Sequence, residues 1–331
     1  MFKSERMPVD APRLDPDGGE RIAVLVPCFN EEVAVAKVVA DFRAALPQAT
    51  IYVYDNNSTD RTVEVARQAG AVVGRETHQG KGNVVRRMFA DVAADVIVLV
   101  DGDATYDAAS ARALIARLLE DRLDMVVAAR IDNDEAAYRM GHRLGNRLFS
   151  ASVGWVFNAT FADILSGYRV FSRRFVKSFP VLSRGFEIEI ELTVHALELE
   201  LPTAEIPTPY FARPAGSTSK LSTWRDGLRI LWTIFNLYRT ERPLAFFCGL
   251  GIVLAVVSVV LAIPIFATYL AEGVVPRVPT AILSTGLMLL AFLFVVAGLI
   301  LDTVTKGRRE MKLLAYLAQR APGVEHDRRR S

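Results

Sequence analysis

The chain has 331 residues, 51% of them hydrophobic, and a formal net charge of only +2 at pH 7. The hydrophobic share exceeds that of an ordinary soluble domain and predicts a part embedded in a membrane. The small net charge, without a dense basic patch, argues against a nucleic-acid partner. Cys28 and Cys248 are far apart in different surroundings, which suggests neither a disulfide nor a cysteine-based metal site.

Short apolar runs alternate with helical patterns after residues 1–20, which are rich in Pro, Asp and Gly and are predicted to form a disordered tail. The predicted strands are 22–26, ending at Pro27, then 51–54, 71–73, 96–100, 125–129 and an edge-like strand 204–206 ended by Pro207. The predicted helices open at 30–32 and cover 62–69, 80–94, 108–120, 142–157 and 186–200. This alternation predicts an α/β domain with a largely parallel sheet over residues 21–220.

The central feature is the apolar run Val96–Val100, which is followed by Asp101-Gly102-Asp103. Five apolar residues in a row predict a strand buried on both faces, and open α/β sheets bind their ligands at such strand ends. A divalent cation that carries substrate phosphates would relieve the repulsion between two adjacent carboxylates. A loop that caps the next helix explains the same residues equally well.

Polar loops end four of the predicted βα units, at 27–32, 55–58, 80–83 and 101–103. The topology of a parallel sheet would bring these loops to one rim. No Gly-x-Gly-x-x-Gly follows the first strand, which disfavours an NAD-type dinucleotide site.

Two C-terminal stretches, Leu244–Ala271 and Val278–Leu301, contain no Asp, Glu, Lys or Arg. Each is long enough to span a bilayer, so residues 243–303 are predicted to form a transmembrane hairpin. Basic residues flank both outer ends, and the connection between the stretches carries only Arg277. The positive-inside rule therefore predicts a protein of the inner (cytoplasmic) membrane, with its α/β domain and its segment 304–331 in the cytoplasm.

Residues 221–242 carry apolar side chains at alternating spacings of three and four. This pattern predicts an amphipathic helix, with Trp224 close to the first membrane span. The helix fits an interfacial position in the headgroup layer and, about equally, packing on the globular domain.

A resemblance is carried by four motifs: Val-Pro-Cys-Phe-Asn-Glu-Glu at 26–32, Asp-Asn-Asn-Ser-Thr-Asp-Arg-Thr at 55–62, Gly-Lys-Gly-Asn at 80–83 and Asp-Gly-Asp at 101–103. Together they resemble family 2 glycosyltransferases of the GT-A fold. Residues 163–169 and 213–220 resemble the polyprenyl-phosphate sugar transferases within that family, the dolichol-phosphate mannose synthase group. The motifs span residues 22–220 in consistent order, and the two C-terminal spans resemble the membrane anchors of some members.

The resemblance implies a role for each matching position. It implies that Pro27, Asn30 and Glu32 shape the nucleotide pocket, that Asp55 hydrogen-bonds the base, that Asp101 lies near the ribose and the metal, that Asp103 coordinates Mg²⁺ or Mn²⁺, and that Arg213 and Lys220 meet phosphate groups. Lys81 joins the donor-binding candidates, but a solvated loop charge is slightly favoured for it. Asp55 could equally be a turn residue, and Arg213 a surface ion-pair partner.

Three positions depart from the family pattern. The dolichol-type members usually show Asp-Asp-Gly-Ser where this chain has Asp55-Asn56-Asn57-Ser58, and Gln where it has Thr105. These differences leave the nucleotide base and the metal ligands open. The Gln-x-x-Arg-Trp motif of processive synthases is absent, which favours a single transfer.

The expected activity is inverting transfer of a hexose from a UDP- or GDP-linked sugar to a polyprenyl phosphate. An acceptor phosphate is already ionised and needs no protein base, and Arg213, Lys220 and Arg130 are candidates to hold it. A lipid or glycan hydroxyl acceptor would need a carboxylate base, for which Asp163 is the candidate ahead of Glu187 and Glu189. A non-catalytic nucleotide-sugar-binding membrane module is the alternative from another class. A homo-oligomer is compatible with the sequence.

Overall fold

The structure is a computed structural model, and the residues it describes are 20–132, 161–185, 187–214, 232 and 235–322. Lys220, the helix predicted at 142–157 and most of the helix predicted at 221–242 lie outside these residues. The chain divides into two units, one comprising residues 1–227 and 312–331 and the other residues 228–311.

The first unit is built on a seven-stranded sheet with the order β3-β2-β1-β4-β6-β5-β7. Its strands are β1 (Ile22–Cys28), β2 (Thr50–Asp55), β3 (Val72–Arg75), β4 (Val96–Leu99), β5 (Met125–Asp132), β6 (Arg169–Ser172) and β7 (Thr203–Tyr210). All neighbouring pairs are parallel except those that β6 makes with β4 and β5. The predicted α/β class with a largely parallel sheet is confirmed.

Helices cover the sheet and bury its central strands. They are α1 (Val35–Ala45), α2 (Thr62–Gln68), α3 (Lys81–Asp91), α4 (Ala111–Glu120), preceded by a 3₁₀ turn at Ala108–Ser110, α5 (Arg173–Ser178) and α6 (Ile188–Glu198). Every residue of β4 is at most 2% exposed, which confirms the predicted strand that is buried on both faces. The loop that follows β4 is therefore supported by a rigid, fully packed strand.

Three local predictions differ from the structure. Helix α1 begins at Val35 rather than near Asn30, because Asn30 has a positive φ of 53° and its loop is bonded to the loop after β2. Strand β6 and helix α5 were not expected, since Arg169 at the start of β6 is charged, although it is fully buried. Strand β7 continues through Pro207, because it pairs on one side only and an edge strand tolerates proline.

The second unit contains helix α7 (Pro243–Glu272) and most of helix α8 (Val278–Leu317). The hydroxyl of Ser258 donates to the Ser284 carbonyl at 2.7 Å, and the hydroxyl of Ser284 donates to the Ser258 carbonyl at 2.9 Å. Gly251 lies close to the Ala291 carbonyl, so small residues let the two backbones approach. Both helices are long and apolar enough to cross a membrane, and they fit the predicted hairpin.

Candidate active site

The loops after β1, β2 and β4 meet at one rim because these strands are neighbours in the sheet. The backbone N–H of Asn30 donates to the Ser58 hydroxyl at 2.9 Å, and the Lys81 ammonium lies 2.5 Å from an Asp101 oxygen. The prediction that the four polar loops share a rim is confirmed. This rim lies where the strand order reverses, which is the usual ligand site of open α/β sheets.

The loop after β1 is bonded to the loop after β2 through its own polar side chains. The Asn30 amide oxygen accepts from the Thr59 N–H at 2.8 Å, and the Glu32 carboxylate accepts from the Arg61 N–H at 3.0 Å. Pro27 lies inside β1, in register with Tyr54 of β2. These contacts give Asn30 and Glu32 a loop-positioning role, and the nucleotide-pocket role of all three positions stays a prediction.

Asp55 is 2% exposed at the end of β2. Its carboxylate accepts from the Ser58 N–H at 3.1 Å and lies 3.9 Å from the guanidinium of Arg75. The turn role that the sequence left open is therefore present. Its contact with a nucleotide base stays a prediction.

Asn56 and Asn57, the two asparagines that depart from the family pattern, both have a structural role. The Asn56 amide donates to the carbonyls of Glu76 and His78, at 3.0 and 2.9 Å, and its oxygen accepts from the Gly80 N–H at 2.7 Å. Asn57 has a φ of 65°, a left-handed conformation that asparagine tolerates better than most residues. Backbone contacts and conformation account for both asparagines, and the identity of the nucleotide base stays a prediction.

Asn56→Asp is expected to lower the thermal unfolding midpoint, because a carboxylate would face two carbonyl oxygens with no hydrogen to donate. The expected loss is about 2–3 kcal/mol. It should shrink at low pH, where a protonated carboxyl can donate one hydrogen bond. Asn57→Asp, one residue on, is the control: the Asn57 amide donates to the Thr77 carbonyl at 2.7 Å in an exposed position where water can replace the bond, so stability should change by less than about 1 kcal/mol. Equal loss in both variants would contradict the explanation.

Lys81 lies between two carboxylates. Its ammonium contacts Asp101 at 2.5 Å and also an oxygen of Glu189, and its side chain is only 9% exposed. Burial lowers the Lys81 pKa, but the two carboxylates outweigh burial and raise it overall. The interpretation of Lys81 as a solvated loop charge is wrong, because packing of α6 against the rim covers the side chain.

Asp103 is 5% exposed, and each of its oxygens has a partner. One accepts from the Thr105 hydroxyl at 2.6 Å, and the other lies 2.7 Å from the Arg213 guanidinium. Burial and the nearby Asp101 charge raise the pKa of Asp103, and Arg213 and the Thr105 hydrogen bonds only partly offset them. The backbone brings Arg213 here, because the Phe211 N–H donates to the Thr105 carbonyl at 2.8 Å.

The acid pair has the donor chemistry that Mg²⁺ or Mn²⁺ prefers, since carboxylates and a hydroxyl are hard oxygen ligands. Among the described residues no group of three or more His, Cys, Asp or Glu side chains forms a complete metal site. Magnesium is commonly held by one or two carboxylates together with substrate phosphates. Asp101 and Asp103 therefore fit a cation that arrives with a diphosphate.

Asp163 is bound to Arg130 through both carboxylate oxygens. The two guanidinium nitrogen–oxygen distances are 2.6 and 2.7 Å. The backbone N–H of Arg130 donates to the same carboxylate at 3.2 Å. Both side chains are mostly buried. The bidentate, partly buried pair engages both oxygens of Asp163, so this carboxylate would have to leave Arg130 before it could act as a general base.

Sequence reasoning missed the part that Glu189 plays in the site. It stands in the first turn of α6, where alternation of glutamate with isoleucine suggested solvent-facing or helix-capping acids. Glu189 is 6% exposed and pairs with Lys81, which is 108 positions away in sequence. No local pattern signals a contact of that separation.

Comparison with known proteins agrees with this architecture. The glycosyl transferase family 2 profile matches residues 23–179. The glycosyltransferase AglJ of Haloferax volcanii is 31% identical over 88% of this chain and 96% of its own length. The dolichyl-phosphate hexose transferase of the same organism is 29% identical over 67% of this chain and 95% of its own length.

Solved structures share the fold. Glucosyl-3-phosphoglycerate synthase of Mycobacterium tuberculosis superposes with a TM-score of 0.53 at 21% identity, over 66% of this chain and 81% of that protein. A complex of that enzyme with Mn²⁺, UDP and its product gives the same TM-score over 68% of this chain and 81% of that protein. The predicted GT-A fold is confirmed, and the chain belongs to glycosyl transferase family 2.

Proposed function

We propose that this glycosyltransferase moves a hexose, with inversion, from a UDP- or GDP-linked sugar to a polyprenyl phosphate at the cytoplasmic face of the inner membrane. The single observation that carries the acceptor is the bidentate pair of Asp163 with Arg130. A hydroxyl acceptor needs a carboxylate free to take its proton, whereas a phosphate monoester is already ionised near neutral pH.

The reaction then forms one bond and breaks one bond at the anomeric carbon. An oxygen of the lipid phosphate forms the new bond, and the bond to the nucleoside diphosphate breaks with its electron pair on the leaving oxygen. No proton has to move, so positioning and charge stabilisation supply the catalysis. A divalent cation bound with the donor would neutralise charge on the departing diphosphate.

The described residues supply the remaining roles. Asp101 and Asp103 would hold the cation, and Asp55 would accept from the nucleotide base. Arg213, already 2.7 Å from Asp103, is suited to a charge-assisted hydrogen bond with a phosphate oxygen. Lys220 is proposed from the sequence motif alone. The relative named dolichyl-phosphate hexose transferase and the structural neighbour with Mn²⁺ and UDP support this assignment.

Matched acceptors test the proposal on the full-length protein in detergent. First, UDP- and GDP-linked hexoses are screened with Mg²⁺ or Mn²⁺ for the one that raises the thermal unfolding midpoint. That donor is then offered with a polyprenyl phosphate or with the corresponding polyprenol. Transfer to the phosphate alone is expected, and transfer to the polyprenol would overturn the acceptor assignment.

Asp163→Asn gives a second test of the acceptor. Loss of the pair with Arg130 should lower the unfolding midpoint, but turnover per folded molecule should stay within about tenfold of the unmodified protein, since general-base loss typically removes 10²–10⁴-fold. A fall beyond 100-fold in folded protein would favour a base and therefore a hydroxyl acceptor.

A further inference from the structure

The Lys81, Asp101 and Glu189 side chains form a buried ion triad that joins three distant elements. Lys81 is the first residue of α3, Asp101 follows β4, and Glu189 lies in the first turn of α6. The side chains of Lys81 and Glu189 are 9% and 8% exposed, while the Asp101 side chain is 30% exposed. Asp101 is therefore the member of the triad that reaches the rim, and Lys81 and Glu189 are more deeply buried.

The backbone on both sides of Lys81 is closely packed against another segment of the chain. A Cβ on Gly80 would lie 2.1 Å from the Arg184 carbonyl oxygen, and one on Gly82 would lie 2.3 Å from that of Ser183. The Gly82 N–H donates to the Arg184 carbonyl at 3.1 Å. Glycines on both sides of Lys81 are therefore required, because another segment of backbone crosses directly over them.

Contacts around Glu189 and Asp101 also constrain the carboxylate side of the triad. Glu191, two residues after Glu189 in α6, accepts from the backbone N–H groups of Leu182 and Ser183, both at 2.8 Å. These bonds connect α6 to the segment that crosses over Gly80 and Gly82. A Cβ on Gly167 would lie 2.3 Å from the second oxygen of Asp101. The Asp101 carboxylate is therefore held between the Lys81 ammonium and the Gly167 backbone.

The charges of the triad explain why a second carboxylate is present. One ammonium paired with Asp101 alone would cancel the charge that Asp101 needs to attract a cation or a ribose hydroxyl. With both carboxylates ionised, sharing of the ammonium with Glu189 gives the triad a net charge of −1, and Asp101 is the more exposed of the two carboxylates. The interaction between charges is strong at such buried positions because water screens it poorly.

We propose that Glu189 is a positioning residue for the donor: it shares the Lys81 ammonium, so that Asp101 is held in place without being neutralised. This inference rests on the proposed function in one respect: it takes Asp101 to face a nucleotide donor that binds together with a metal ion. Glu189 acts through Lys81 and Asp101, since its buried carboxylate pairs with the Lys81 ammonium.

Donor binding by Glu189→Gln tests the proposal in the full-length protein. UDP and GDP are titrated with Mn²⁺ by calorimetry, without any acceptor. Binding is expected to weaken about tenfold, while turnover at saturating donor falls less than threefold. Glu120→Gln, which removes one charge at the exposed end of α4, is the matched control and should bind as the unmodified protein does. Unchanged affinity in folded Glu189→Gln would overturn the proposal.

A double variant separates charge sharing from a merely structural role. Lys81→Met combined with Glu189→Gln removes both buried charges and leaves Asp101 unneutralised. Charge sharing predicts that this double variant binds Mn²⁺ and nucleotide more tightly than Glu189→Gln alone. Equal or weaker binding would contradict it. Because these measurements use no acceptor, failed transfer to polyprenyl phosphate would reject the proposed function without affecting this result.

Discussion

Asp103→Asn is expected to lower hexosyl transfer by roughly 10²–10³-fold, the loss typical of removing one main group that stabilises transition-state charge. Asp103 is 5% exposed and stands at the centre of the contacts that join the acid pair to Arg213. An amide in its place is a weaker ligand for a divalent cation and leaves Arg213 without its carboxylate. The measurement is the rate of hexosyl transfer to polyprenyl phosphate at saturating donor. The donor is the nucleotide sugar that raises the thermal unfolding midpoint.

Stability should not follow activity in this variant. Burial and Asp101 raise the pKa of Asp103, so the folded state disfavours its ionised form at neutral pH. An amide has no such penalty, and the unfolding midpoint should stay equal or rise. Asp107→Asn is the control: Asp107 caps the 3₁₀ turn by accepting from Ser110, and its loss should lower stability but spare transfer. Turnover of Asp103→Asn within threefold of normal would remove the acid pair from the mechanism.

Arg169→Met is expected to lower the free energy of unfolding by about 3–5 kcal/mol, because it leaves the buried carbonyls of Ser166 and Ile164 and the Thr193 hydroxyl without their donor. The guanidinium is fully buried and donates to the Ser166 carbonyl at 3.0 Å and to the Thr193 hydroxyl at 2.8 Å. Burial lowers the pKa of Arg169 to about 10, so the group stays charged at neutral pH. For a domain of this size the unfolding midpoint should fall by roughly 6–20 °C.

Arg173→Met gives the same substitution four residues away, in an exposed setting. Arg173 lies 3.6 Å from Asp95 with about a third of its side chain exposed, so its loss should change stability by less than about 1 kcal/mol. Similar midpoints for the two variants would show that the Arg169 network contributes little. Because Arg169 donates to carbonyls of the 163–169 loop, its variant should also weaken the Arg130–Asp163 pair.

Local patterns in the chain predicted its architecture well. The run from Val96 to Val100 marked the buried central strand, since only a strand covered on both faces is apolar at every position. The position of Asp101 and Asp103 directly after it placed them at the rim, because the end of a parallel strand defines that edge. Two long uncharged stretches predicted the two long apolar helices for an equally local reason.

Roles that depend on a distant partner were not predictable in the same way. The sequence slightly favours a solvated charge for Lys81 over donor binding and makes Glu189 a secondary candidate base, because nothing near either residue signals the other. Asn56 and Thr105 are departures from the family pattern in the sequence, whereas in the structure one satisfies backbone carbonyls and the other donates to Asp103. Their roles depend on which atoms lie opposite each side chain after folding.

The amino-acid sequence alone determined the alternation of strands with helices, the buried strand and the acids at its end, because periodicity and charge act over neighbouring residues. The partners of those acids came from folding: Lys81 and Glu189 at Asp101, and Arg213 at Asp103. Burial favours such pairings, since a charge removed from water needs a counter-ion or hydrogen bonds, but sequence spacing does not say which residue will supply them.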